Sequence, residues 1–207
     1  MRQKPLILID WYRTLSEEIF WGDFVSTEIL TAIQGEVIKD KTTIDAWMRG
    51  QISSEDICDK LSEKVPLGTA ELLEKLRQSC ELMELDQEMA AVLAELSARF
   101  NIALVTDNMD CFDRWTVPKL KKLGCFSRID VSSSVRRLKN DDEGRTLLDV
   151  CSAFGAKPDE VILIDDSAST RTLFESMGGQ TRTIRNPMDT KKVISDFLIE
   201  LGSDLES

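Results

Sequence analysis

Carboxylates that directly follow two apolar runs are the residues of this chain best suited to chemistry. Asp10 follows the apolar run 6–9, and Asp165 and Asp166 follow the run 161–164. A carboxylate can attack phosphorus or carbon and form a covalent intermediate that water then hydrolyses. Two adjacent carboxylates repel an anionic substrate unless a cation lies between them, and their oxygen atoms suit Mg²⁺. The simpler interpretation of each group is a turn or a helix cap.

Two further polar groups have the same kind of placement. Thr106, Asp107 and Asn108 follow the apolar run 102–105, and Lys139 ends a basic stretch. The Thr106 hydroxyl, the backbone N–H groups after it and the Asn108 amide can hold a phosphoryl oxygen as negative charge develops. Lys139 would place a positive charge beside the attacking carboxylate. Taken alone, the first group is an ordinary turn and the lysine an exposed loop residue.

The apolar runs also predict the elements that position these groups. Runs of four aliphatic residues without polar alternation are typical of strands buried in a parallel sheet. From residue 101 the chain alternates strand and helix patterns, which indicates an α/β fold. Ligands of such sheets bind at the carboxyl ends of the strands, where the strand order reverses. The predicted strands are 6–9, 102–105, 129–131, 161–164 and 181–184.

The stretch between the first two strands has only helical periodicity. Residues 16–99 contain no strand pattern, and Ser53 followed by Asp56 has the spacing of a helix N-cap. We therefore predict an α/β core formed by residues 1–15 and 100–207, with an all-helical cap, 16–99, inserted after the first strand.

Composition excludes several classes of function. The 207 residues carry a formal net charge of -11, which argues against nucleic acid or an anionic membrane as the main partner. The chain has no histidine, which excludes Ser-His-Asp and Cys-His chemistry and histidine-ligated metals. Five scattered cysteines without a CxxC pair indicate neither a disulfide framework nor a zinc site, and we expect a cytoplasmic protein. The first residues are too poor in apolar side chains for a targeting segment or a membrane span.

The four polar groups, in this order over nearly the full length, resemble the motifs of the haloacid dehalogenase-like (HAD-like) hydrolase superfamily. The helical insert resembles the cap of its C1-type members. The resemblance implies a three-layer, Rossmann-like parallel-sheet core and Asp10 as the nucleophile. It also implies Mg²⁺ bound by Asp10 and Asp166, with Asp165 in the inner or the next coordination sphere and the backbone carbonyl of Tyr12 as a further ligand.

The first and third motifs depart from the superfamily pattern. Phosphatases of the superfamily have an Asp two positions after the nucleophile, and then Gly, whereas this chain has Tyr12 and Arg13. That Asp is the general acid and base, a contribution of about 10²–10⁴-fold, so its absence favours acyl or aryl phosphates with good leaving groups. Dehalogenases of the superfamily have Tyr there, because halide leaves without a proton, but they usually lack the acidic pair of the fourth motif. Asn140, Asp141 and Asp142 replace the usual Pro-Asp-Pro after Lys139.

Three hypotheses follow. The first is a Mg²⁺-dependent phosphatase that acts on a small phosphorylated molecule through an aspartyl-phosphate intermediate. The others are a 2-haloacid dehalogenase-type enzyme, which Tyr12 favours, and a degenerate HAD-like binding protein without turnover.

We expect Arg13 to contact an anionic substrate or, as the favoured alternative, to pair with a cap carboxylate. We expect a monomer or a homodimer. The predicted catalytic residues are Asp10, Tyr12, Thr106 and Lys139; the predicted substrate-binding residues are Thr106, Asp107, Asn108 and Arg13; and the predicted metal ligands are Asp10, Tyr12, Asp165 and Asp166.

Overall fold

A parallel sheet forms the centre of the molecule. The structure, a computed structural model, describes residues 4–203, and the side chains as far as residue 199. In this part of the chain the sheet has five strands in the order β3-β2-β1-β4-β5, all parallel. The predicted α/β fold with a Rossmann-like sheet is therefore confirmed, and each predicted strand is present with bounds shifted by no more than one residue. The strands are β1 (Leu6–Ile9), β2 (Asn101–Thr106), β3 (Arg128–Val131), β4 (Val161–Asp165) and β5 (Gln180–Thr183).

Strand β1 lies in the middle of the sheet and is buried along its whole length. Ile9 pairs with Leu104 of β2 on one side and with Ile164 of β4 on the other. Because the three strands are parallel and in this register, their carboxyl ends lie side by side. The chain order reverses at β1, so the crevice expected for a ligand opens at this edge of the sheet.

Side chains of β1 alternate between two apolar layers. Ile7 and Ile9 belong to one hydrophobic cluster, which includes residues of the helices 87–99 and 187–203, whereas Leu6 and Leu8 belong to another, which includes residues of the helices 145–153 and 168–176. Successive residues of a strand point to opposite faces, so an uninterrupted apolar run is the pattern of a strand covered on both sides. The core consequently has three layers. Its helices are α5 (Gln87–Arg99), α6 (Val117–Leu123), α7 (Ser132–Val135), α8 (Arg145–Ala153), α9 (Ala168–Ser176) and α10 (Pro187–Ser203).

The helices between β1 and α5 form a third hydrophobic cluster, which also includes Met109 and Cys111 from the segment after β2. Trp21 and Trp47 are fully buried in it, and the Trp21 indole donates a hydrogen bond to the Leu72 carbonyl (2.8 Å). The predicted helix N-cap at Ser53 is present, and it forms a capping box with Asp56. These helices are α1 (Thr27–Ile33), α2 (Lys41–Met48), α3 (Ser54–Ser62) and α4 (Thr69–Leu82).

Helix α5 differs from the other helices of the predicted insert. Its buried residues Met89, Leu93 and Leu96 pack in the cluster that contains Ile7 and Ile9 of β1. Sequence periodicity shows that a helix has an apolar face but does not show which partner covers that face. For this reason the pattern predicts α5 as part of the insert. This packing places α5 with the sheet, and the boundary at residues 99 and 100 stays a prediction.

Two further observations concern the chain as a whole. All five cysteines lie among the described residues as buried free thiols. Within residues 4–203, none of the helices combines the length and the apolar character needed to cross a lipid bilayer.

The buried position of β1 predicts the effect of a cavity there. Leu8→Ala should lower the free energy of unfolding by about 2–5 kcal/mol, because Leu8 is 0% exposed and its loss leaves a hole between β1 and α8. The matched control is Leu82→Ala, since Leu82 is 63% exposed, and it should change stability by less than about 0.5 kcal/mol. Urea unfolding followed by circular dichroism measures both, and equal losses would contradict the assigned packing.

Candidate active site

Lys139 brings together carboxylates from two neighbouring strands. Its Nζ lies 2.9 Å from Asp10 Oδ1 and 2.6 Å from Asp165 Oδ2. All three side chains are less than one-tenth exposed. Asp10 immediately follows β1 and Asp165 ends β4, so the parallel register of the sheet places the two carboxylates side by side. The ammonium group therefore lies in a closed, water-poor crevice at the predicted edge of the sheet.

The crevice holds more negative than positive charge. Burial raises the pKa of Asp10 to about 7; Lys139 opposes that rise and Asp165 adds to it. Burial alone would lower the pKa of Lys139, but Asp10, Asp165 and Asp107 together raise it above its usual range. One ammonium group therefore stays charged at neutral pH without fully compensating the carboxylates around it. An additional cation would remove this excess of negative charge.

Asp165 and Asp166 have different surroundings. Both carboxylate oxygens of Asp165 are engaged, because Oδ1 accepts the Ser167 N–H (2.8 Å) and Oδ2 accepts the lysine ammonium. Asp166 is half-buried, and burial followed by the charge of Asp165 raises its pKa. Among the described residues, Asp166 has one ion pair, which is longer than a hydrogen bond: Arg13 Nε lies 3.7 Å from Asp166 Oδ2. Asp166 is therefore the more available of the two for a metal ion.

Arg13 contacts the core. The favoured expectation, a pairing with a cap carboxylate, is wrong, because the guanidinium lies beside Asp166 after β4. Arg13 has a left-handed backbone (φ 58°), and its N–H donates to the Ser16 carbonyl (2.7 Å). The phosphatases that the motifs resemble have glycine at this position, and only glycine adopts such a conformation without a steric penalty. The tight turn after β1 therefore aims the Arg13 side chain back towards the acidic pair.

The three residues of the group that follows β2 have different surroundings. Thr106 is buried at the end of β2, next to the end of β1. Asp107, predicted as a substrate-binding residue, accepts the backbone N–H of Lys139 on Oδ1 (2.8 Å), and burial raises its pKa. Asn108 is buried, and its N–H donates to Ser132 Oγ (2.8 Å). Asp107 thus fixes the backbone that carries the lysine.

Tyr12 lies at the entrance of the crevice. It follows Asp10 by two residues, and its side chain is 45% exposed. It lines a cavity between the helical insert and the strand ends, together with Asp107 and Asn108. Tyr12 therefore joins the turn after β1 to this cavity.

Three carboxylates have the arrangement that a cation site requires. Oxygen atoms of Asp10, Asp165 and Asp166 all lie within 4.8 Å of one another. Oxygen ligands from an acidic cluster suit Mg²⁺, which commonly takes one or two carboxylates from the protein and completes its coordination with water or phosphate. The raised pKa of Asp10 and the open side of Asp166 agree with such an ion. The residues present therefore fit the magnesium site predicted from the sequence.

An ion pair joins the insert to the core next to Lys139, and the sequence patterns do not predict it. Arg49, at the end of α2, donates to both carboxylate oxygens of Asp141 (2.7 and 2.8 Å) and holds the pKa of Asp141 below its usual range. Asp141 Oδ2 also accepts the Leu138 N–H (2.9 Å). The only signal in the sequence was the carboxylate two positions after the lysine. This contact joins the insert to the loop that carries Lys139.

A second polar contact joins the insert to the segment after β2. Asp110 Oδ1 accepts hydrogen bonds from the Trp47 indole (2.8 Å) and the Ser54 hydroxyl (2.7 Å). Ser132 Oγ donates to the Met48 carbonyl (2.6 Å). The insert is therefore held over the strand ends by partners that follow β2 and β3.

Comparison with known proteins gives a fold but no close relative. No protein-family model matches the chain, and no curated protein matches it. Among solved structures, a HAD family enzyme from Bacteroides thetaiotaomicron in its magnesium complex matches with a TM-score of 0.69 and 16% identity, covering 89% of this chain and 95% of that one. A protein from Porphyromonas gingivalis, called a predicted HAD-like family hydrolase, matches with a TM-score of 0.68 and 16% identity, covering 95% and 98%.

Dehalogenases have the same fold. L-2-haloacid dehalogenase from Xanthobacter autotrophicus, with chloropropionic acid covalently bound, matches with a TM-score of 0.61 and 13% identity, covering 87% of this chain and 77% of that one. Identities this low establish the fold alone. The resemblance to the HAD-like superfamily is confirmed at that level, and the chemistry must be argued from the residues of this chain.

The charge balance of the crevice predicts a pH-dependent effect of removing the lysine. The pKa of Asp10 is raised from 3.8 to about 7, so the folded chain binds a proton more tightly than the unfolded chain, and this contribution to stability falls as the pH rises between those values. Lys139→Met removes the opposing charge and should raise the pKa of Asp10 further. We expect a loss of about 3–5 kcal/mol at pH 8 and a smaller loss at pH 5.

Chemical unfolding with a chelator present measures this effect. Lys122→Met is the matched control, because Lys122 is exposed on α6, and it should change stability little at either pH. A loss in Lys139→Met that is equal at both pH values would contradict the assigned charge balance.

Proposed function

We propose that the chain is a Mg²⁺-dependent hydrolase of small phosphorylated molecules that works through an aspartyl-phosphate on Asp10. The observation that carries the proposal is Lys139, buried and shared between Asp10 and Asp165 (2.9 and 2.6 Å), with Asp166 beside them. A cluster of buried charges at the carboxyl ends of parallel strands is costly for the fold, so it is a good candidate for a functional site. The HAD-like fold, shared with an enzyme crystallised with magnesium and inorganic phosphate, supports the same chemistry.

In this mechanism an Asp10 carboxylate oxygen attacks the phosphorus atom. The bond from phosphorus to the organic oxygen breaks, and the electron pair leaves with that oxygen. Water then attacks the aspartyl-phosphate, releases inorganic phosphate and regenerates the carboxylate. Lys139 lowers the pKa of Asp10, which favours the charged nucleophile, and it opposes the negative charge of the transferred group.

The other site residues hold the phosphoryl group and the metal. The Thr106 hydroxyl and the Asn108 side-chain amide would hold the phosphoryl oxygens, whereas the Asn108 backbone N–H is already donated to Ser132 Oγ. Asp10, Asp166 and the Tyr12 carbonyl would hold Mg²⁺, with Asp165 beside them. When bound, Mg²⁺ neutralises charge on the phosphoryl oxygens and lets an anionic substrate approach the carboxylates. The Asp107 carboxylate positions Lys139 by accepting its backbone N–H, and the Arg13 guanidinium lies beside Asp166.

Tyr12 restricts the substrates that this site can use. The superfamily's general acid is replaced by a phenol, which is a much weaker acid than a carboxylic acid. A leaving oxygen of an alkyl phosphate needs a proton, whereas that of an aryl or acyl phosphate does not. We therefore assign the site to activated phosphates. A cytoplasmic location and a small-molecule partner complete the proposal, and the five buried free thiols agree with a reducing compartment.

The proposal predicts a metal-dependent activity that requires Asp10. Wild-type protein should hydrolyse 4-nitrophenyl phosphate with Mg²⁺ and stop when a chelator is added. Asp10→Asn should lower kcat/KM by about 10³-fold or more, because the amide cannot form the intermediate. Asp159→Asn, an exposed Asp of the same chain, is the matched control and should retain full activity. Hydrolysis that survives both chelation and Asp10→Asn would refute the assignment.

Tyr12 and the dehalogenases of the same fold support a second candidate, a carbon–halogen hydrolase. In that reaction Asp10 attacks carbon, and halide leaves without needing a proton or a metal ion. Release of chloride from 2-chloropropionate in the presence of chelator measures this activity. Chloride release that depends on Asp10, together with absent phosphatase activity, would decide for the dehalogenase.

Restoring the missing acid tests whether the site lacks only that group. Tyr12→Asp should raise the hydrolysis of butyl phosphate by up to about 10²–10⁴-fold, because a carboxylic acid can then protonate the alkoxide. Tyr12→Phe is the matched control and should not raise it. If Tyr12→Asp binds Mg²⁺ but gains no activity, the third hypothesis is favoured, in which the chain is a HAD-like binding protein without turnover.

A further inference from the structure

An apolar cavity lies between the helical insert and the entrance of the crevice. Its volume is about 240 Å³, and it reaches the site at Tyr12, Asp107 and Asn108. The predicted insert contributes much of its apolar wall, which includes Phe20, Leu30, Ile33, Ile44, Met48 and Met83. A group attached to a phosphorus atom beside Asp10 would therefore enter a pocket made of aliphatic and aromatic side chains.

The charges around the cavity are distributed unequally. Its ionisable lining consists of Tyr12 and two carboxylic acids, Glu18 and Asp107, and among the described residues no Lys or Arg lines it. The positive groups, Lys139 and Arg13, lie on the other side, next to Asp10 and Asp166. An anionic group on the organic part of a substrate would therefore meet only like charges.

Glu18 lies at the solvent-exposed side of the cavity. Its carboxylate accepts the Glu84 N–H (3.2 Å) and the Ser16 hydroxyl (3.4 Å), and burial raises its pKa. These contacts hold the Glu18 carboxylate at the cavity, where it opposes a second negative charge.

The size of the cavity limits the group that fits. Pockets for drug-sized ligands have volumes of roughly 300–1,000 Å³, so this one holds a smaller group. One aromatic ring with a short substituent, or a short branched chain, fits such a volume. A nucleoside or a long acyl chain exceeds it, and a polyol would leave its hydroxyl groups without partners on the apolar wall.

We propose that the substrate is a phosphate whose organic part is a small, uncharged, apolar group, a single ring or a short branched chain, joined through a phenolic or carboxylic oxygen and seated in this cavity. The inference rests on the proposed hydrolase function. It adds that the apolar wall contributed by the insert selects the organic part, since each methylene group moved from water into the cavity increases kcat/KM by about fourfold.

Four aryl phosphates with leaving phenols of nearly equal acidity test the proposal: phenyl, 4-ethylphenyl, 4-(2-carboxyethyl)phenyl and 4-(2-aminoethyl)phenyl phosphate. With Mg²⁺, kcat/KM for the ethyl compound should exceed that for the phenyl compound by about tenfold. The carboxyethyl compound should be the poorest of the four. The aminoethyl compound should rank below the ethyl compound, because its ammonium group would be desolvated by the apolar wall. Equal values, or a preference for the carboxyethyl or the aminoethyl compound over the ethyl compound, with Asp10-dependent turnover intact, would overturn the inference and leave the hydrolase function standing.

A charge placed in the wall should reverse the discrimination. Leu30 is half-buried on α1, and Leu30→Lys should lower kcat/KM for the ethyl compound and raise it for the carboxyethyl compound. Leu123→Lys is the matched control, because Leu123 is 48% exposed on α6, away from the cavity, and it should leave the order of the four substrates unchanged. If both variants are folded by circular dichroism and show the same kcat/KM order for the four substrates, the proposed binding of the organic part in this cavity is contradicted.

A binding measurement separates the cavity from the catalysis. Trp11 lines the cavity, so 4-ethylphenol should change the tryptophan fluorescence of the wild type and bind more tightly than 3-(4-hydroxyphenyl)propionate. If none of the four phosphates is hydrolysed but this preference is found, the hydrolase function fails and the apolar site stands. If neither turnover nor the preference is found, both are refuted.

Discussion

One buried ammonium group shared by two carboxylates determines how the site of this chain is built. Lys139 Nζ lies within 3 Å of Asp10 and Asp165, and all three side chains are excluded from solvent. Charges buried in this way must be held by several independent elements, since breaking one partner leaves the others uncompensated. Here β1, β4 and the Asp107 carboxylate after β2 each fix one part. The remaining negative charge, with Asp166 at the open side, is complementary to a divalent cation, which the proposed function needs before an anionic substrate can approach.

The insert is part of this arrangement. Arg49 at the end of α2 pairs with Asp141, which in turn holds the backbone next to Lys139. The same insert supplies much of the apolar wall that faces Tyr12. The crevice contains the charges, and the neighbouring cavity has no basic groups among the described residues. In the proposed function, the phosphoryl group and the organic part of the substrate would therefore be bound by chemically different surfaces.

Much of this organisation was predictable from residue patterns, and the exceptions have physical reasons. Aliphatic runs that end on Asp10 and Asp165 predicted both the strands and the edge where their polar groups meet, because parallel register fixes that edge. The partner of a long charged side chain is not fixed in this way: Arg13 pairs with Asp166 because a left-handed turn redirects it, and a turn conformation in a non-glycine residue has no sequence signal. The role of Asp107 on the Lys139 backbone and the cavity lining depend on tertiary packing, which periodicity does not report.

The most direct test of the central claim is a crystal structure of the protein with Mg²⁺ and beryllium fluoride, a mimic of a phosphoryl group on a carboxylate. The account predicts that beryllium is bonded to an Asp10 oxygen, that Lys139 contacts a fluorine atom, and that Mg²⁺ lies about 2.0–2.1 Å from oxygens of Asp10 and Asp166. A structure with Mg²⁺ bound elsewhere, or with Asp10 unmodified and still paired only with Lys139 at saturating fluoride, would contradict it.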